Sequence, residues 1–294
     1  MKRLLYITTI ISLLAAGVYF IINKIKNKKA EREHQAWVAT LEHTASENVN
    51  ILKDAVTVDY LNEKRTLAVY LPENYQTSEK QYPVIYFLDG QSLFDQKIQE
   101  GTEWEVDEVM DSLSKEHQAI VIGVYNSHRR MREYKPFPST KIYSHKWVSG
   151  DKHAEWIATD LKAWVDQRYR TITSPEATII GGASLGGLMS YYMLNEFPEV
   201  YGAAIVFSPS FWVNPKVYEL HKNNPAIKEQ KIYFNAGELE TPTVNSIQKM
   251  HQILLDYGVP SRNMQLDVEA GLGHWHMTWV AGYKKVYPWM MESL

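Results

Sequence analysis

Ser184 stands in Gly182-Ala183-Ser184-Leu185-Gly186, directly after the β-branched run Thr178–Ile180 and directly before a helical pattern carrying Leu188, Tyr191, Tyr192 and Leu194 on one face. A Gly-x-Ser-x-Gly turn between strand and helix lifts the serine hydroxyl to the top of the sheet. It also leaves N–H groups of the helix's first turn open to negative charge. The chemistry this permits is nucleophilic attack by the serine oxygen. Serine is a weak nucleophile at neutral pH, so a base must take its proton and a carboxylate must orient that base. His274 suits the base, because Gly271-Leu272-Gly273 puts it on a flexible loop after the last predicted strand; His276 is the reserve. The acid is expected between serine and histidine in the chain. Glu240 is preferred and Glu238 is the alternative, both in the loop that follows the strand Ile232–Asn235. Ser184 and His274 should lie within hydrogen-bond reach, with the carboxylate behind the imidazole.

Those residues need a scaffold that brings strand ends together. Tyr82 to Leu88 is apolar without alternation, as expected of a central strand covered on both faces, and it ends in the turn Asp89-Gly90-Gln91-Ser92. Strand signals over 119–125, 177–181, 203–207, 231–235 and 264–268 alternate with helical ones over 103–113, 155–169, 185–197, 243–257 and 275–291. The alternation predicts an α/β fold with a mostly parallel central sheet and helices on both faces. Two alternating segments, 55–60 and 65–71, predict an antiparallel hairpin before it. The irregular stretch 126–152 holds Arg129, Arg130, Arg132, Tyr134 and Trp147 and is long enough for a lid or pocket wall.

With 294 residues, the chain fits one large catalytic domain over 54–294 behind an N-terminal extension. A net charge of −3 spread along the sequence points to no nucleic-acid partner. The absence of cysteine removes disulfides, thiolate metal sites and cysteine nucleophiles. No metal is expected either, since His274 and His276 lack a visible third ligand.

Leu4 to Ile22 is uncharged, and at about 1.5 Å per residue it approximates the thickness of a bilayer. It predicts a membrane or signal anchor over 1–23, followed by a polar stalk over 24–53. Lys24, Lys26, Lys28, Lys29 and Arg32 outweigh Lys2 and Arg3, a bias that favours a cytoplasmic domain. Cleavage after Ala16 as a signal sequence would instead export it.

Four segments carry a resemblance: Tyr82–Asp95, Arg129–Tyr134, Gly182–Leu188 and Ser208-Pro209-Ser210-Phe211-Trp212. Together they resemble the esterase D and enterochelin-esterase-like branch of the α/β-hydrolases, which also includes feruloyl and acetylxylan esterases. The resemblance covers about 54–291. It implies an α/β-hydrolase fold, Ser184 as nucleophile, and His274 in a Gly-x-x-His-x-x-x-x-Trp ending formed by Gly271, His274 and Trp279. It further implies an oxyanion hole from the N–H of Leu185 and one near Gly90 or Gln91. His276 departs from the pattern, at a position often acidic in relatives. Arg130, Tyr134 and Trp212, within these segments, and Trp275, next to His274, are candidates for the pocket of a small-molecule ester. The expected activity is serine ester hydrolysis through an acyl-enzyme, with no cofactor. An acyltransferase using the same triad and a non-catalytic binding module are the alternatives. The ester's identity and the oligomeric state are left open.

Overall fold

The computed structural model describes residues 2–112, 117–138 and 147–292, with side chains from Ala16 onward. Eight strands form one sheet in the order β1-β2-β4-β3-β5-β6-β7-β8. β1 (Val49–Val58), β2 (Glu63–Tyr70) and β4 (Ile120–Val124) pair antiparallel in turn. β3 (Val84–Leu88), β5 (Thr178–Ala183), β6 (Ala203–Phe207), β7 (Lys231–Gly237) and β8 (Met264–Glu269) run parallel to one another, and β3 also pairs parallel with β4. This is the expected mostly parallel sheet.

The unbroken apolar strands divide their side chains between two cores because successive residues point to opposite faces. Val84, Tyr86 and Leu88 enter one core, and Ile85 and Phe87 the other. The helices follow the same division. On the first face lie α6 (Leu185–Glu196), α7 (Thr241–Tyr257) and a helical stretch formed by α4 (Gly150–Trp156), a π-helical turn and α5 (Lys162–Asp166). On the second lie α2 (Val106–Asp111) and α8 (His276–Met291). A short α3 (Arg130–Glu133) sits in the predicted lid region, of which residues 139–146 lie outside the described residues.

The chain leaves β3 toward β4 on one side and returns to β5 on the other, so the order reverses at β3. Open α/β sheets form their crevices at the C-terminal ends of the strands at such a point. The loops after β3, β5, β6, β7 and β8 all emerge at that edge.

The N-terminus departs from expectation. α1 runs Lys2–Thr40, and among the described residues no helix is long and apolar enough to cross a membrane. The expected span over Leu4–Ile22 therefore finds no support here: its side chains before Ala16 lie outside the described residues, and beyond Ile22 the helix carries Lys24, Lys26, Lys28 and Lys29. Nor is the far end of α1 a free stalk. His34 meets Glu100 at 2.6 Å and His43 meets Asp95 at 2.6 Å. The Thr44 hydroxyl donates to Glu103 at 2.8 Å, while the Trp37 ring occupies the space where a side chain at Gly101 would stand. β1 then begins at Val49, inside the stretch expected to be linker.

Candidate active site

Ser184 occupies the sharp turn between β5 and α6 with φ 60° and ψ −117°, a left-handed backbone costly for any residue but glycine. Neighbouring strands hold it there. Its N–H donates to the Phe207 carbonyl at 2.9 Å, and its carbonyl accepts from the Ser210 N–H at 3.0 Å and the Leu188 N–H at 3.1 Å. Gly182 is required by the return of the helix over the strand, since a Cβ there would stand 2.7 Å from the Gly186 carbonyl carbon. As the first residues of α6, Leu185, Gly186 and Gly187 carry N–H groups without an intrahelical acceptor.

His274 follows β8, and its Nδ1 forms a short hydrogen bond with Glu240 Oε2. The Glu240 carboxylate is buried and also accepts from the Ser208 hydroxyl at 2.7 Å and the Gly237 N–H at 2.9 Å. Burial alone would push this carboxyl up, but the hydrogen bonds from His274, Gly237 and Ser208 outweigh it and hold Glu240 below the usual carboxylate range. Glu238 is spent elsewhere: its Oε2 accepts from the Gly271 N–H at 2.8 Å, steadying the loop that carries His274. His276 opens α8.

Ser184, Glu240 and His274 line one cleft of about 680 Å³, with Arg130, Met131, Leu185 and Trp212 among its other walls. The structure differs from expectation in one contact. Ser184 Oγ lies 3.2 Å from Ser210 Oγ, and the expected direct hydrogen bond from Ser184 to His274 is absent among the described residues. The physical reason is local: the Ser210 N–H bond to the Ser184 carbonyl brings the two hydroxyls side by side.

At the end of β3, Asp89 turns the chain with φ 62° into Gly90–Ser92. Gly90 touches β4 so closely that a Cβ would stand 2.2 Å from the Gly123 carbonyl carbon. Gln91 Oε1 accepts from the Asn126 N–H at 3.2 Å. The Asp89 carboxylate takes Arg130 in a two-point pair, Nε at 2.6 Å and Nη2 at 2.7 Å, together with Asn126 Nδ2 at 2.6 Å. Arg130 stacks over the Tyr134 ring at 5.1 Å. Tyr134 is wholly buried, and its hydroxyl accepts from the Asp89 N–H at 3.1 Å, so it supports the cleft from beneath rather than walling it. Trp275 is half exposed beside His274, and the cleft lining does not include it.

A family model described as "Putative esterase" matches residues 59–291. The chain belongs to that family, and it is an esterase. YbbA of Bacillus subtilis (strain 168), named an uncharacterized protein, is 23% identical over 77% of this chain and 92% of its own. A ferulic acid esterase of solved structure superposes with TM-score 0.67 at 20% identity, covering 84% of this chain and all of its own. The siderophore hydrolase EstA from Aspergillus nidulans superposes with TM-score 0.67 at 16% identity, covering 83% of this chain and 95% of its own. At these identities the two structures speak for the fold.

Two residues of the candidate site, Ser208 and Ser210, stood in a segment that carried the resemblance but were given no role there. Ser208, at φ 39°, donates to Glu240 and accepts from the Trp279 indole N–H at 3.1 Å. The Trp279 ring packs edge-on against His274, with centroids 5.7 Å apart. Ser210 is the hydroxyl beside Ser184. The available signal was position: Ser208 follows β6 directly, and β6 neighbours the strand that carries Ser184. Separately, Glu103, Asp107 and Glu108 bring carboxylate oxygens within 4.8 Å of one another. Burial pushes Glu103 up to about 7 and Asp107 up to about 8, so these groups hold protons near neutral pH.

Proposed function

We propose that this esterase is a serine carboxylic-ester hydrolase in which Ser184 is the nucleophile, His274 the general base and acid, and Glu240 the group that orients the imidazole. The observation that carries this reading is the buried Glu240 carboxylate on His274 Nδ1, in a cleft that Ser184 also lines. A proton held on Nδ1 by Glu240 leaves Nε2 with its lone pair, the form needed to accept the Ser184 proton. Rotation of Ser184 Oγ away from Ser210 would bring it toward His274. The oxygen then bonds to the ester carbon as its proton passes to His274, and negative charge develops on the carbonyl oxygen. N–H groups of Leu185 and of Gly90 or Gln91 are the proposed donors to that charge, each worth roughly 100- to 1000-fold in rate. His274 returns the proton to the leaving alcohol, and water releases the acyl group by the same steps.

Labelling of the full chain by a fluorophosphonate tests the assignment. Wild type should label, while Ser184→Ala should neither label nor turn over esters; equal labelling of both would sink the proposal. Esters of ferulic acid and siderophores, for which structural neighbours are named, form the substrate screen together with acetylated sugars. Product analysis with an added acceptor alcohol separates hydrolysis from acyl transfer. We also propose that residues 4–22 tether the esterase to a membrane, on the strength of their uncharged run. Release of the full chain from membranes by alkaline carbonate alone would refute an integral tether.

A further inference from the structure

Ser184 stands between two cavities of different character. One is the cleft of about 680 Å³ that His274 lines; the other is a pocket of about 200 Å³ that shares Ser184 and Arg130 with it. At roughly 30 Å³ of liquid volume per water, the small pocket has the room of about seven waters. Its walls include Gln91, Ser92, Gln99 and Asn126, together with Trp104 and Trp279, whose rings meet edge to face at 5.1 Å. The polar walls brace one another: Gln99 Nε2 donates to Ser92 Oγ at 2.8 Å, and the Asn126 N–H donates to Gln91 Oε1 at 3.2 Å. Those bonds use one end of each glutamine amide. Gln91 Nε2 and Gln99 Oε1 are left as a donor and an acceptor without partners among the described residues. The large cleft differs, with Met131, Trp212, Val213, Leu239 and Pro242 in its walls.

For an ester the two cavities are not interchangeable. His274 must pass its proton to the departing alcohol oxygen, so the alcohol has to lie on the side that His274 lines. His274 lines the large cleft and not the small pocket. We infer that the small pocket holds the acyl group and limits it to about six or seven non-hydrogen atoms, bare or hydroxylated. The bulkier, apolar-faced alcohol occupies the large cleft. This rests on the proposed roles of Ser184 and His274 and adds the substrate class: short-chain acyl esters of large alcohols.

The test compares 4-nitrophenyl acetate, butyrate and octanoate on the full-length protein, so that the leaving group stays constant. kcat/KM should fall at least about 30-fold from acetate to octanoate. Gln99→Ala shortens one wall and should raise the octanoate-to-acetate ratio by about fivefold or more. A flat chain-length profile with turnover that Ser184→Ala abolishes would overturn this inference alone. An unchanged ratio in Gln99→Ala that still hydrolyses acetate would do the same. Absence of Ser184-dependent turnover for every ester would overturn the proposed triad along with it.

Discussion

Two glutamates stand close together in one loop, and only one faces the imidazole. Glu240→Gln keeps the shape but removes the negative charge that faces the imidazole, so kcat should fall by roughly 100- to 10,000-fold with KM little changed. Glu238→Gln weakens only the tie to the Gly271 N–H and should stay within about threefold of wild type. Steady-state kinetics on the pair decides between them. The same carboxyl leaves a trace in stability. Because its folded-state pKa lies below the ordinary value of 4.5, Glu240 stabilises the fold above the unfolded-state pKa. That contribution is lost as pH falls through the folded value. Acid unfolding followed by circular dichroism should therefore be shallower in Glu240→Gln than in wild type below about pH 4.5.

At the scale of elements, the loop after β3 is fixed by two contacts that leave no room. A methyl at Gly90 meets the Gly123 backbone, so Gly90→Ala should cost roughly 1–3 kcal/mol by overpacking and misplace an expected oxyanion donor. Loss of the Asp89–Arg130 pair is of a different kind. Asp89 is buried, and Arg130→Gln would leave its carboxylate with Asn126 as its remaining side-chain partner. The expected cost is about 3–5 kcal/mol, readable in a urea titration. The elements themselves were largely legible in the sequence, since an apolar strand covered on both faces carries a strong signal. Two boundaries were not. β1 reaches back to Val49 because it is an edge strand with most residues partly or fully exposed, so its composition imitates a linker. α2 starts at Val106 rather than near Glu103 because Glu105 takes a left-handed backbone, φ 49° and ψ 38°, in a loop that the Trp104 and Val106 N–H groups tie back to the Ser92 and Leu93 carbonyls. The partners of a backbone N–H across a loop are invisible to a local pattern. The pairing of Ser184 with Ser210 was hidden for the same reason.

Across the whole molecule, the sheet edge that gathers Ser184, Glu240 and His274 rests on a core with a titratable weak point. His153 is wholly buried between Tyr134 and Trp156, stacked on both rings. Burial pushes its pKa down to about 4, with Glu133 and Asp89 opposing the shift and Arg65 reinforcing it. The unfolded chain therefore takes up a proton there that the folded chain refuses, and stability should fall by about 3 kcal/mol as pH drops from 6.5 toward 4. His153→Gln should flatten that slope. A longer-range consequence follows from the docking of α1. Trp37, His34 and His43 grip the segment Asp95–Gly101, and Gln99 of that segment walls the small pocket beside Ser184. The amino-terminal helix is thus a lever whose short arm ends at the small pocket beside Ser184. Under the proposed acyl assignment, force or displacement applied to it far from Ser184 would be felt as a change in which acyl chains fit. Trp37→Ala should accordingly soften the chain-length preference by roughly two- to fivefold, measured as the acetate-to-octanoate ratio.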